Sequence, residues 1–218
     1  MRLVAFGCSQ TWGSALPDVW GIKENQTIHE RGVSKYAWPK LLANKLDVEC
    51  VNLGIAGASN KEIWYNILHT TFYKNDIVII LWTHSERFCF IHKNKIMTLG
   101  TWMVANPTAY RTSEQSKIFY KHLYNEYDML LDFYLRANHI QTFLQNKVEL
   151  IKHNAVCRLE PDVNVDWNNI KSSLFMEDFL EQYLPKALDG SHPGTGAHEA
   201  FATAIYNEIK DENPEKFN

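Results

Sequence analysis

Four cysteines in 218 residues, at Cys8, Cys50, Cys89 and Cys157, form no C-x-x-C pair and no His/Cys cluster at zinc-finger spacing. A disulfide framework and a structural zinc site are therefore not expected. Nine histidines do not change this, because no two stand four residues apart with a third ligand nearby. Neither a metal nor a cofactor is called for. An excess of one charge is also missing. With 22 basic against 25 acidic residues and a net charge of −3, a nucleic-acid or anionic-membrane partner gets no electrostatic support. The longest apolar run, Ile77 to Trp82, is far too short to span a bilayer. The opening residues turn polar within a few positions and do not resemble a secretory signal. These absences lead to the expectation of a soluble, cytoplasmic protein with free thiols. No internal repeat, low-complexity linker or domain boundary is visible, so residues 1–218 read as one domain.

What is present is an alternation of strand and helix signals. Arg2 to Phe6 reads as a buried strand that stops at Gly7. Asp18 to Ser34 is polar and reads as a loop. Tyr36 to Leu46 carries Trp38, Leu41, Leu42 and Leu46 at helical spacing, with Pro39 tolerated in the first turn. Val48 to Asn52 is a second strand, and Asn60 is placed to cap a helix carrying Ile63, Ile67 and Leu68. Ile77 to Trp82, apolar without alternation, suits a central parallel strand covered on both faces. His92 to Thr112 has no clear period and reads as an irregular insertion or a small hairpin. Ser116 to Asn146 reads as one long helix, or two meeting near Asn138. Lys147 to Lys152 is a further strand, and Phe175 to Leu184 and Thr195 to Lys210 are helices. Such alternation predicts an α/β fold with a parallel sheet between helical layers.

In a sheet of this kind ligands gather at the carboxyl ends of the strands, and most of the chemistry-bearing residues follow a strand. Ser9 lies in Gly7-Cys8-Ser9-Gln10-Thr11-Trp12-Gly13, just after the first. The turn holding Gly54 and Gly57 follows the second, and Thr83-His84-Ser85-Glu86-Arg87 follows Ile77 to Trp82. Asp189-Gly-Ser-His192 lies in a Gly/Pro-rich turn before the last helix. An Asp three residues before a His can hold a carboxylate against the ring, which makes the imidazole a general base. A base needs a nucleophile, and Ser9 supplies one.

This order of motifs resembles the SGNH (GDSL-like) hydrolase family over nearly the whole chain. Gly7-Cys8-Ser9 matches the family's Gly-Asp-Ser and makes Ser9 the implied nucleophile. Asn52-Leu-Gly-Ile-Ala-Gly57 matches its Asn-containing glycine turn, with Gly57 favoured over Gly54 as the oxyanion glycine. Asp189 and His192 match the Asp-x-x-His block. The third block departs from the pattern: Trp82-Thr83-His84-Ser85 stands where the family has Gly-x-Asn-Asp, so His84 occupies the place of the oxyanion asparagine. The resemblance implies a flavodoxin-like three-layer α/β/α sandwich with a parallel sheet of about five strands. It also implies ester hydrolysis or acyl transfer through an acyl-serine, with no cofactor.

Individual residues keep plainer readings beside these. Cys8 reads as a small buried residue under the turn. His84 is either an oxyanion donor, a satisfied strand-end residue or a mark of lost activity. Arg87 binds an anionic substrate group or pairs with Glu86 on the surface. Trp102, in the insertion, is placed to wall a substrate pocket. His198 reads as a capping or packing residue of the last helix. The leading function is a serine esterase that releases an acyl group, acetyl above all, from a small molecule or carbohydrate. Transfer of the acyl group to a sugar hydroxyl, or a catalytically weak binding descendant, are the alternatives.

Overall fold

Strand β1 (Arg2–Gly7) occupies an inner position because its side chains are apolar on both faces, and Leu3 through Phe6 are wholly buried. The computed structural model describes residues 1–23, 26–29, 32–93, 95–105, 112–158 and 174–216. After β1 come the short helix α1 (Ser9–Trp12) and a hairpin of β2 (Trp20–Lys23) and β3 (Gln26–His29). Helix α2 (Trp38–Leu46), β4 (Glu49–Asn52), α3 (Asn60–Leu68) and β5 (Asp76–Trp82) follow. A second hairpin pairs β6 (Phe88–His92) with β7 (Lys95–Leu99). Helices α4 (Thr101–Ala105), α5 (Ser113–His122) and α6 (Glu126–Leu144) lead to β8 (Leu150–Ala155), and α7 (Met176–Gln182) and α8 (Thr195–Glu212) close the fold.

Four strands form one parallel sheet in the order β4-β1-β5-β8. Helices α2 and α8 pack together on one side, with Trp38 edge-on to Phe201 at 5.7 Å. Helices α3 and α6 pack together on the other, where Trp82 meets Phe133 edge-on at 5.6 Å. The architecture is the α/β/α sandwich read from the sequence, and no described helix is long and apolar enough to cross a membrane.

Several boundaries differ from the reading. Among the described residues the sheet has four strands rather than about five; beyond β8 there is an isolated parallel bridge, Ala155 to Phe175. Strand β8 starts three residues later than read, because the N–H groups of Lys147 and Val148 still bond back to the Leu144 carbonyl. The segment Asp18 to Ser34, read as a loop, contains the β2–β3 hairpin. Of the two readings of the insertion the hairpin is the one formed, but β6 begins at Phe88, before His92, and Phe88 stacks on Phe119 of α5 at 4.6 Å. Positions 106–111, Pro107 and Tyr110 among them, lie outside the described residues. The helical run breaks at Leu123 to Asn125 and not at Asn138, because Asn125 caps α6 by accepting the Asp128 N–H at 3.0 Å. Asn60 is not a cap either. Ser59 caps α3, accepting the Glu62 N–H, while Asn60 is buried with its amide turned toward the end of β5.

Candidate active site

The site is assembled at the carboxyl edge of the sheet, where β1, β4 and β5 each end in a turn. Cys8 leaves β1 in an extended conformation, and its carbonyl accepts the N–H groups of Thr11 and Trp12 at 3.0 Å. This places Ser9 at the first position of α1. Asn52, at the end of β4, holds that helix in place: its amide donates to the Thr11 carbonyl at 2.7 Å and accepts the Gly54 N–H at 2.9 Å. Asn60 does the same for the β5 turn, donating to the Thr83 carbonyl at 3.0 Å and accepting the Thr83 N–H at 2.8 Å.

The two glycines of the second turn have different uses. A side chain at Gly54 would come within 2.5 Å of the Trp12 nitrogen, so this glycine permits close approach to α1, and its N–H is already taken by Asn52. Gly57 has φ +79° and open space where a side chain would stand. Its N–H makes no hydrogen bond among the described residues.

The Asp189 turn brings the distant end of the chain to Ser9. Asp189 Oδ1 accepts the N–H groups of Ser191 and His192, each at 3.0 Å, a local Asx turn that Gly190 (φ +71°) completes. Asp189 Oδ2 lies 2.5 Å from His192 Nδ1, and the Ser191 hydroxyl donates to it at 2.9 Å. Burial alone would push this carboxyl up. The bonds from the His192 and Ser191 N–H groups and from the His192 ring outweigh it and hold Asp189 down at about 2. With Asp189 ionised, the neutral His192 ring donates from Nδ1, which leaves Nε2 as the acceptor. Ser9 Oγ lies 3.0 Å from that nitrogen. Three residues spanning almost the whole sequence thus form one chain of hydrogen bonds. The ordered turn continues into α8, whose His198 accepts the Trp38 N–H at 3.1 Å and so caps α2 rather than its own helix.

The remaining candidates lie on the β5 side. His84 follows the locked Thr83, and burial lowers its pKa; Glu86, Arg87 and Glu177 are its charged neighbours. Its ring makes no hydrogen bond to Ser9 or Gly57. Arg87 lies over the Trp102 ring at 4.8 Å and donates from Nη1 to the Ala58 carbonyl at 3.4 Å, next to Gly57. Cys8 is buried, as read, with Ser9 Oγ 3.9 Å from its sulfur. Cys157 has its thiol pushed up to about 12 by burial, with Glu177 and Glu86 adding to the effect. It is a poor thiolate. Asn52, Asn60 and Ser191 were not singled out by sequence reasoning for these contacts. The Asx-turn spacing of Asp189 and Ser191 was a usable signal; the span from Asn60 to Thr83 left none.

No family model and no curated protein matches this sequence. Solved structures do. A member of the lipolytic protein G-D-S-L family from Veillonella parvula superposes with a TM-score of 0.52 at 12% identity, covering 95% of this chain and 97% of that one. This chain shares the fold of that protein. An acetyl xylan esterase from the rumen bacterium Butyrivibrio proteoclasticus is matched at a TM-score of 0.47 and 13% identity over 100% of this chain, which spans 64% of that protein.

Proposed function

We propose that the protein is a serine esterase that hydrolyses an acetyl ester of a small molecule or carbohydrate through an acyl-Ser9 intermediate. The observation that carries this reading is the hydrogen-bonded series Ser9 Oγ, His192 Nε2, His192 Nδ1 and Asp189 Oδ2, at 3.0 and 2.5 Å. Ser9 Oγ attacks the ester carbonyl carbon while its proton passes to His192 Nε2. Asp189 keeps the ring in the required tautomer and stabilises the imidazolium. Collapse of the tetrahedral intermediate breaks the carbon–oxygen bond, and His192 returns the proton to the departing alcohol. Water then attacks the acyl-serine with His192 again as base, releasing the acid and restoring Ser9. The oxyanion is assigned to the N–H groups of Ser9 and Gly57 and to the His84 ring. Burial disfavours the charged form of that ring, and a neutral imidazole retains one N–H donor. A protein that only binds its ligand has no use for a serine, a histidine and an ionised aspartate in this register.

Treatment with an organophosphate fluoride tests the reading: one adduct is expected, on the peptide that carries Ser9, together with loss of p-nitrophenyl acetate turnover. Labelling of a cysteine instead, or turnover that survives full labelling, would overturn it. His84→Ala is expected to lower kcat by about a hundredfold with little change in KM, since an oxyanion contact strengthens mainly in the transition state. His84→Asn should restore much of the rate. An unchanged kcat in His84→Ala would leave the oxyanion to the backbone alone.

A further inference from the structure

We propose that Arg87 and Trp102 form a subsite for a carboxylate carried by the ester substrate, so that acetylated acidic sugars are preferred over neutral ones; this rests on the esterase reading above. Arginine side chains elsewhere in the protein show what such a group binds. Arg2 grips Asp76 through Nε and Nη2 at 2.8 and 3.0 Å, and Arg136 grips Asp132 through the same two nitrogens at 2.7 and 2.5 Å. In each case the planar fork matches a planar carboxylate. Arg87 has the same edge unmatched. Its Nη1 is used on the Ala58 carbonyl, its Nε is shielded from water with no partner, and it forms no ion pair among the described residues.

The surface pair with Glu86, one of the two readings of Arg87, is not made. Glu86 and Glu177 both lie near His84, yet neither bridges to Arg87 within the described residues. The guanidinium is also held in place. Its plane is supported by Trp102, and the backbone beside it is fixed where the Tyr120 hydroxyl donates to the Glu86 carbonyl at 2.7 Å. Ala58, which Arg87 touches through Nη1, is the residue after Gly57, so the guanidinium lies beside that turn. A guanidinium stacked on an aromatic ring beside the Gly57 turn, with no carboxylate paired to it among the described residues, is suited to a carboxylate carried by the substrate. Such a bond is charge-assisted.

The test compares mono-O-acetylated methyl glucuronoside with mono-O-acetylated methyl glucoside, which differ in a carboxylate against a hydroxymethyl group. The wild-type protein should show a KM about tenfold lower for the uronoside, the size expected of one charge-assisted pair. Arg87→Met should bring the two KM values to about the same level. Arg87→Lys, which keeps the charge and loses the fork, should recover only part of the preference and guards against a folding defect in the first variant. Equal KM values in the wild type, or a preference that survives in both variants, would overturn the subsite. Saturation-transfer NMR with unacetylated methyl glucuronoside on Ser9→Ala protein separates this proposal from the esterase reading. Binding that needs Arg87 upholds the subsite even if no ester is turned over. Absence of binding, in a protein that still cleaves p-nitrophenyl acetate, removes the subsite alone.

Discussion

Ser9→Ala should lower kcat/KM for p-nitrophenyl acetate by at least about ten-thousand-fold, because on the proposed mechanism the substitution removes the attacking atom and leaves only the polarising N–H groups and substrate binding. The fold should tolerate it. Ser9 is 7% exposed, and its hydroxyl contacts are the His192 ring and the Cys8 sulfur; neither is a packing contact of consequence. The backbone bonds that shape α1 come from the Cys8 carbonyl and from Asn52, and alanine is a favourable helix residue. The melting temperature should therefore shift by no more than about 2 °C, since the change is well under 1 kcal/mol on a domain of this size. His192→Ala should fall as far as Ser9→Ala, and the double variant little further, because the pair acts as one unit. Loss in Cys8→Ala with full activity in Ser9→Ala would move the nucleophile to the neighbouring thiol and dismiss the present mechanism.

The parts of this site that were legible beforehand are those whose geometry is local. Asp189 and His192 are three residues apart, and a carboxylate that caps its own turn meets the ring three positions on by backbone geometry alone. The buried run from Ile77 to Trp82 declares a covered parallel strand for the same reason, as every position is apolar. The long-range fasteners were not legible. Asn60 sits where a cap is expected, and only the folded chain shows that its amide is taken up by the Thr83 backbone 23 residues away. The bounds of the hairpin after Arg87 were obscured because β6 is apolar on both faces: Phe88 and Phe90 pack by Phe119, Cys89 on the other face is buried as well, and Ile91 is exposed, so the alternation from which strands are read is lost. Arg87 itself stood in the sequence beside Glu86, the obvious partner, and it is the absence of that pair in the fold that changes its meaning.

Acid should begin to destabilise the protein above the pH at which carboxylates titrate, and two buried histidines are the reason. His153 accepts the Trp82 indole N–H on Nδ1 at 3.0 Å and donates from Nε2 to Gln141 at 3.0 Å; His198 accepts the Trp38 N–H on Nδ1. In both rings Nδ1 faces a donor, so a second proton has no acceptor to meet. Burial lowers His153 to about 4 and His198 to about 3, from an ordinary value of 6.5. The folded values are depressed, so the stability these rings confer is complete above pH 6.5 and drains away as the pH falls toward 4 and then 3. The unfolded chain takes up protons that the folded chain refuses. Two such sites give a slope of about 2.5 kcal/mol per pH unit between pH 5.5 and 4.5, set against a total stability on the order of 10 kcal/mol. His84, lowered by burial, adds in the same direction, while the Glu62 carboxyl, raised by burial, offsets part of it from the acid side. Asp189, held at about 2, contributes only below pH 4. Urea midpoints measured from pH 7 to 4.5 should fall steeply below pH 6, with uptake of about two protons on unfolding at pH 5. His198→Gln should flatten the slope by about one proton. Stability that stays level from pH 7 to 5 would mean that one or both rings reach solvent and titrate freely in the folded protein.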